Sequence, residues 1–233
     1  MHQFSTKMMK EVNFDGYRFL QINKRPKIFV SIKGKNNFCS LDSSGKENFL
    51  KDNFQVSSYR DFNQTHGVDI YNYNYNGLEA DGFITLEKNA AYGIKTADCL
   101  PIIFWNDSNQ LSGLHCGWRG IACGIIDKLL MSPHGSKMQY AFFGPSISKD
   151  FFEVKEDLIE EYLENSLNIM PFIETIDAKK YFDLRAFCRQ HISNYGLKIL
   201  ELKNHCSFKN KDLFFSWRRD KEKSLRNICL TWF

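Results

Sequence analysis

No two cysteines in this chain are spaced as C-x-x-C. The 7 present, at positions 39, 99, 116, 123, 188, 206 and 229, form no regular framework. An odd count without paired spacing argues for reduced thiols and against a disulfide scaffold. Histidine is scarce as well: there are 6, at 2, 66, 115, 134, 191 and 205, and none forms an H-x-H pair. That argues against the histidine-rich cluster of a multicopper oxidase, although a single His/Cys/His site would still bind Cu2+ strongly. The 5 prolines build no linker and no repeat divides the 233 residues, so one domain over 1–233 is expected. No apolar run approaches the length of a membrane span. The opening MHQFSTKMMKEVNF lacks the apolar core of a signal peptide. The net charge of +4 is scattered, with no basic stripe for nucleic acid, yet it suits a small anion such as phosphate. A cytoplasmic protein with small-molecule partners is expected, with no nucleic acid, membrane or protein partner.

Aromatic residues are abundant. They make up 15% of the chain, with 21 Phe, which predicts a core built on rings. YRFLQI (17–22) and KIFVSI (27–32) read as a hairpin. Residues 35–64 are polar and read as a long loop. AYGIKTADCLPIIFW (91–105) holds two apolar runs broken by Thr-Ala-Asp-Cys, and LSGLHC (111–116) follows a turn at 106–108. This spacing predicts adjacent strands joined by a hairpin, with Cys99 and His115 near each other at their ends. IACGIIDKLLM (121–131), EDLIEEYLEN (156–165) and DLRAFCRQHISNYG (183–196) show helical spacing. MQYAFF, KILEL, LFFSW and NICLTWF read as strands. The interleaving predicts an α/β (α+β) fold with a mixed β-sheet sandwiched by helices.

Three potential ligands sit at element boundaries. His66 precedes Gly67, Cys99 occupies the break between two apolar runs, and His115 ends a strand. Together they offer N, S and N, three protein ligands with one position left open, as in a catalytic zinc site. On residue types alone, an ordinary buried cysteine with capping histidines is the commoner arrangement. Asp98 could orient a ligand histidine or shape a turn. Gly117 and Gly120 allow a close backbone approach around Trp118 and Arg119. Arg119, Arg218, Arg219 and Arg226 carry forks suited to phosphate or carboxylate, or they pair locally. Cys116 and Cys123 read as core, His191 as surface or half-buried, and His205-Cys206 as a second N/S pair in a polar loop.

Taken in order, QTHGVDI, EADGFIT, KTADCLPIIFW, LSGLHCGWRGIACGII, FFGPSIS with FEV, YFDL and FFSWRRD resemble the YfiH family. That family has been described as laccase-domain or multicopper polyphenol oxidases and also as purine nucleoside phosphorylases. The resemblance runs from about residue 60 to the C-terminus. It implies a YfiH-like α/β sandwich, once grouped with cysteine hydrolases. It also implies a metal site on His66, Cys99 and His115, which would be the catalytic centre. The implied activity is zinc-dependent phosphorolysis of adenosine and inosine, cleavage of methylthioadenosine, and adenosine deamination.

Two departures touch implied substrate or phosphate contacts. The family's Thr-Arg after the early strand is replaced in FVSIKGKNN, where Lys33 could substitute as a point charge. The family's late Thr-Gly-Arg appears as Ser-Leu-Arg226. Lys33, Arg119 and Arg218 are the expected phosphate contacts. Asp98, Glu79 and Asp81 are the acids nearest the implied site. The alternatives are a copper-dependent polyphenol oxidase, a metal-independent hydrolase with Cys99 as nucleophile and His66 or His115 as base, and a non-enzymatic metal-stabilised domain.

Overall fold

The computed structural model describes residues 9–72, 78–202 and 206–233. His2, His205 and the Tyr/Asn-rich stretch 73–77 lie outside the described residues.

Strands β1 (Lys10–Phe14), β2 (Tyr17–Lys24) and β3 (Lys27–Ile32) form an antiparallel meander. Helix α1 (Ser43–Phe54) and strand β4 (Ser58–Arg60) follow. Next come β5 (Ile70–Tyr71), β6 (Gly82–Thr85), β7 (Ala90–Thr96), β8 (Leu100–Trp105) and β9 (Leu111–Cys116). Helices α2 (Trp118–Ala122) and α3 (Ile125–Leu130) precede β10 (Tyr140–Phe143), β11 (Glu153–Val154) and α4 (Glu156–Glu164). Then β12 (Ile173–Ile176), β13 (Lys179–Phe182), α5 (Leu184–Ser193) and β14 (Lys198–Glu201) lead to α6 (Trp217–Asp220) and β15 (Asn227–Trp232).

One 6-stranded sheet runs β1-β2-β3-β15-β7-β4 and a second runs β14-β10-β8-β9-β6-β5, with a 3-stranded sheet β11-β13-β12 beside them. Most pairs are antiparallel. The pairs β4–β7, β5–β6 and β10–β14 are parallel, so the architecture is the expected mixed α+β.

Burial shows how the layers stack. Every residue of β8 is buried, and alternate side chains face opposite ways. Ile103 and Trp105 join Val30, Tyr92 and Ile94 in the core between the two large sheets. Leu100, Ile102 and Phe104 pack with Ile125, Leu129 and Phe187 under the helices. On the far side of the first sheet, Phe29, Leu230 and Trp232 pack on Leu50 of α1, and Phe29 stacks on Trp232 at 5.3 Å. The order is therefore helix, sheet, sheet, helices, and aromatic rings fill much of the interior as expected.

Three sequence expectations change. The stretch 35–64 is not all loop, because it contains α1 and β4. The helix is mostly polar (SSGKENFLKDNF), so its face was not legible. It is started by Asp42, whose carboxylate accepts the Gly45 N–H at 2.7 Å. It is held by Leu50 and by buried Lys46, whose amine pairs with Asp61 at 3.0 Å. LFFSW forms no strand: Ser216 instead caps α6, its hydroxyl accepting the Arg219 N–H at 3.3 Å. The helix expected over 121–131 is split between α2 and α3, with Gly124 at φ 84°, and Cys123 at the break is exposed rather than core.

Candidate metal centre

The chain leaves the first sheet at the end of β7 and enters the second at β8, so residues 97–99 cross between the sheets. Asp98 makes this crossing at φ 91°, a region that Asp tolerates better than most residues. Its carbonyl accepts the Ile147 N–H at 3.0 Å. Its carboxylate accepts the Ser207 hydroxyl at 2.7 Å and the Arg218 backbone N–H at 2.6 Å. Asp98 thus anchors the crossing to the segment carrying Arg218 and does not orient a histidine.

Strands β8 and β9 pair antiparallel, with Pro101 opposite His115 and Leu100 opposite Cys116. This register brings Cys99 and His115 to the same end of the hairpin, as the spacing predicts. His66 arrives from the loop between β4 and β5, at φ 64°. The ligand atoms of His66, Cys99 and His115 all lie within 4.8 Å of one another. Cys99 Sγ is 3.7 Å from His66 Nε2.

The carboxylate that organises this corner is Asp81, one of three nearby acids in the sequence and not distinguishable there as the organiser. It is fully buried. Its Oδ1 meets His115 Nδ1 at 2.7 Å and accepts the His66 N–H at 3.0 Å. Its Oδ2 accepts the N–H groups of Thr65 at 3.0 Å and Gly67 at 2.7 Å, and the Thr65 hydroxyl at 3.2 Å. Its backbone carbonyl also accepts the His115 N–H at 2.7 Å. One carboxylate therefore sets the His66 loop and fixes a proton on His115 Nδ1, which leaves Nε2 for the cluster. The legible signal was an acid just before a strand, in EADGFIT. Its partners come from a loop whose approach the sequence does not announce.

Gly117 and Gly120 permit that approach. A Cβ on Gly117 would sit 2.7 Å from His66 Cδ2 and 3.4 Å from Cys99 Sγ. A Cβ on Gly120 would sit 2.8 Å from the Gly67 carbonyl oxygen. The two glycines admit the loop bearing His66.

The electrostatics are strongly coupled. Burial pushes the Cys99 thiol up, but His115 and His66 outweigh it and bring the thiol down to about 6. Burial disfavours a charged His115, yet the Cys99 sulfur and Asp81 raise it to about 9. Burial likewise raises the Asp81 carboxyl, but hydrogen bonds from His115, Gly67 and Thr65 hold it below the ordinary range. A thiolate and two imidazoles form a donor set that suits a divalent transition metal. Tetrahedral bonds of about 2.0–2.3 Å would place neighbouring donors roughly 3.5 Å apart, close to the 3.7 Å found here. Among the described residues this is the only such group of His, Cys, Asp or Glu, so they offer ligands for one ion.

The cluster opens into a cavity of about 640 Å³. Trp118, Phe152 and Trp217 supply aromatic wall, and Arg119 and Arg218 supply charge. The Arg119 guanidinium lies 4.1 Å from the centre of the Trp118 ring and pairs with no acid among the described residues. Arg218 donates one bond to the Glu153 carbonyl at 3.0 Å and lies beside the Phe152 ring. Lys33 is placed elsewhere. Its amine lies 4.8 Å from the centre of the Phe215 ring, and its backbone N–H bonds to Leu213. Arg219 spends its guanidinium on the carbonyls of Ser207, Phe208 and Phe214 and on Asp220, which locks the turn.

Cys116 is buried. His191 is half-buried and meets Asp127 at 2.8 Å. No described helix is long and apolar enough to cross a membrane.

Residues 46–233 match the family described as multi-copper polyphenol oxidoreductase laccase. A purine nucleoside phosphorylase of Haemophilus influenzae is 32% identical over 179 residues, covering 73% of this chain and 72% of that protein. Purine nucleoside phosphorylase YfiH of Escherichia coli is 28% identical over 164 residues, covering 68% of this chain and 67% of that protein. Among solved structures, the Bacillus licheniformis hypothetical protein YfiH superposes with a TM-score of 0.77 at 20% identity, over 95% of this chain and 98% of that one. YlmD of Geobacillus stearothermophilus gives 0.77 at 20%, over 97% and 98%. These two structures share the sandwich fold. By the family match and the relatives together, the chain belongs to the laccase-domain family that contains YfiH.

Proposed function

We propose that this protein is a zinc-dependent purine nucleoside phosphorylase. It would act on inosine, adenosine and methylthioadenosine, with adenosine deamination as a second activity. The observation that carries the reading is the His66/Cys99/His115 donor set opening into a cavity walled by aromatic rings and two arginines. The purine nucleoside phosphorylase relatives support the choice of reaction. When bound, zinc supplies a Lewis-acid charge at one open position.

The protein's own groups do the rest. Asp81 keeps the Nδ1 proton of His115 in place, so the other ring nitrogen stays available as a ligand. Arg119, stacked on Trp118, and Arg218, steadied by Glu153 and Asp98, hold phosphate against the sugar. Trp118 and Phe152 pack against the purine. In phosphorolysis the C1′–N9 bond breaks, an oxygen of hydrogen phosphate bonds to C1′, and the base leaves with the proton that the phosphate gives up. Asp81 and Asp98 hold their carboxylates in fixed hydrogen bonds, so both act as positioning groups.

Purified protein incubated with inosine and phosphate should yield hypoxanthine and ribose-1-phosphate. Absence of turnover for both inosine and adenosine, with zinc bound, sinks the reading. A Cys99→Ala protein that keeps metal and activity sinks the site.

The depressed Cys99 thiol, 3.7 Å from His66, favours a second reading as a metal-independent cysteine hydrolase. Rapid alkylation of Cys99 by iodoacetamide without metal removal would support it. Stoichiometric metal and loss of activity with chelator would exclude it.

A further inference from the structure

The same cavity has a second cationic stretch of wall, formed by Lys95 and Arg226. Lys95 lies on β7, and Arg226 immediately precedes β15, the strand that pairs with β7, Thr96 opposite Asn227. Half-buried Lys95 shares a single acid with buried Lys46, since both amines reach Asp61 Oδ2, at 3.4 and 3.0 Å. The Tyr59 hydroxyl also donates to that oxygen, at 3.0 Å. Arg226 pairs with no acid among the described residues. Its guanidinium donates only to the Ser224 and Leu225 carbonyls, at 3.2 and 3.4 Å, and lies beside the Trp217 ring at 5.7 Å. Lys46, Lys95 and Arg226 all act electrostatically on the Cys39 thiol, with Asp61 opposing them, so the four charges share one neighbourhood. Three cations face one carboxylate there. Two of those cations are at least partly withdrawn from water, a cost that a bound anion offsets.

This stretch is separate from Arg119 and Arg218, the two arginines to which the proposed function gives inorganic phosphate. Lys95 precedes Cys99 by four residues, so the chain between them spans at most about 14 Å. An anion at Lys95 and Arg226 can therefore belong to the same ligand that reaches the metal corner. We infer that Lys95 and Arg226 form a second anion subsite, one that takes a phosphate ester carried by the substrate itself. The ligand class this cavity favours is then the nucleoside 5′-monophosphate. The inference rests on the nucleoside reading of the cavity, and its test uses binding alone.

Titration calorimetry of the zinc-loaded protein, with inosine and IMP in low salt and without inorganic phosphate, gives the ratio of the two affinities. IMP should bind about tenfold more tightly, the scale of one or two charge-assisted hydrogen bonds. Arg226→Gln and Lys95→Gln should each shrink the ratio several-fold, and added salt should shrink it too. A wild-type ratio near one overturns the inference. So does a high ratio that both variants preserve, because the ester would then sit on the metal or on Arg119 and Arg218. Two folded variants are not required, since loss of the ratio in either one carries the point. If neither ligand binds, the nucleoside reading itself has failed. If inosine binds and IMP binds no better, only the second subsite has failed.

Discussion

The metal corner and the cationic walls of the cavity are built in opposite ways. At the corner, one buried carboxylate gathers three backbone N–H groups, a hydroxyl and an imidazole, and two glycines leave no room for a side chain. Along the walls, Arg119 and Arg226 are exposed and lean on tryptophans without an acidic partner among the described residues. The corner is over-determined and tolerates little change. The walls are loosely specified and can be retuned by single substitutions. Under the proposed function, the difference assigns reaction type to the corner and choice of substrate to the walls.

The sharpest way to break this contrast is Asp81→Ala. It strands buried N–H groups and frees the His115 ring. The expected cost is about 3 kcal/mol of stability and 10–100-fold in metal affinity, of order that for losing a carboxylate behind a ligand histidine. Denaturant melts and competition with a chromophoric chelator measure the two. Gly117→Ala should be next. The added methyl must displace His66, so metal affinity should fall about tenfold, with stability affected less. Retention of wild-type affinity would show that the corner is softer than its geometry implies.

Wall substitutions should read differently. Arg218→Lys keeps the charge but loses the fork, and should raise the phosphate KM about fivefold while metal content stays stoichiometric. A pH series on metal-stripped protein sharpens the corner further. The Cys99 thiol is lowered to about 6, so its thiolate is present above that pH and is lost as pH falls through it. Iodoacetamide labelling of Cys99 should drop only about twofold from pH 7 to 6, where an ordinary thiol drops about tenfold. Mass spectrometry of the labelled peptides distinguishes the two. The smallest effect is expected for Lys33→Ala, which should change the phosphate KM by less than about twofold, because the amine packs on Phe215 away from the cavity wall.

Much of this was legible in the chain. The hairpin β2–β3 and the β8–β9 pair follow from alternation and turn residues, and the pair's register brings Cys99 to His115. Helix α1 was hidden because its buried positions include a lysine, and its packing partners are the rings of a distant sheet face. Phe214 and Phe215 read as strand, yet the local cap at Ser216 decides the conformation. The role of Asp81 could not be read from spacing. It depends on a loop 14 to 16 residues upstream closing over it, which two glycines in another segment allow.

The crossing at residues 97–99 has one more consequence. Cys99 lies where the chain passes from one large sheet to the other, His115 ends a strand of the second, and His66 follows β4, an edge strand of the first. An ion held by all three would rivet the two halves of the sandwich together. Loading it would then act as a checkpoint on assembly: a slip of one residue between β8 and β9 would turn the ligand away, and the chain would fail to hold its metal.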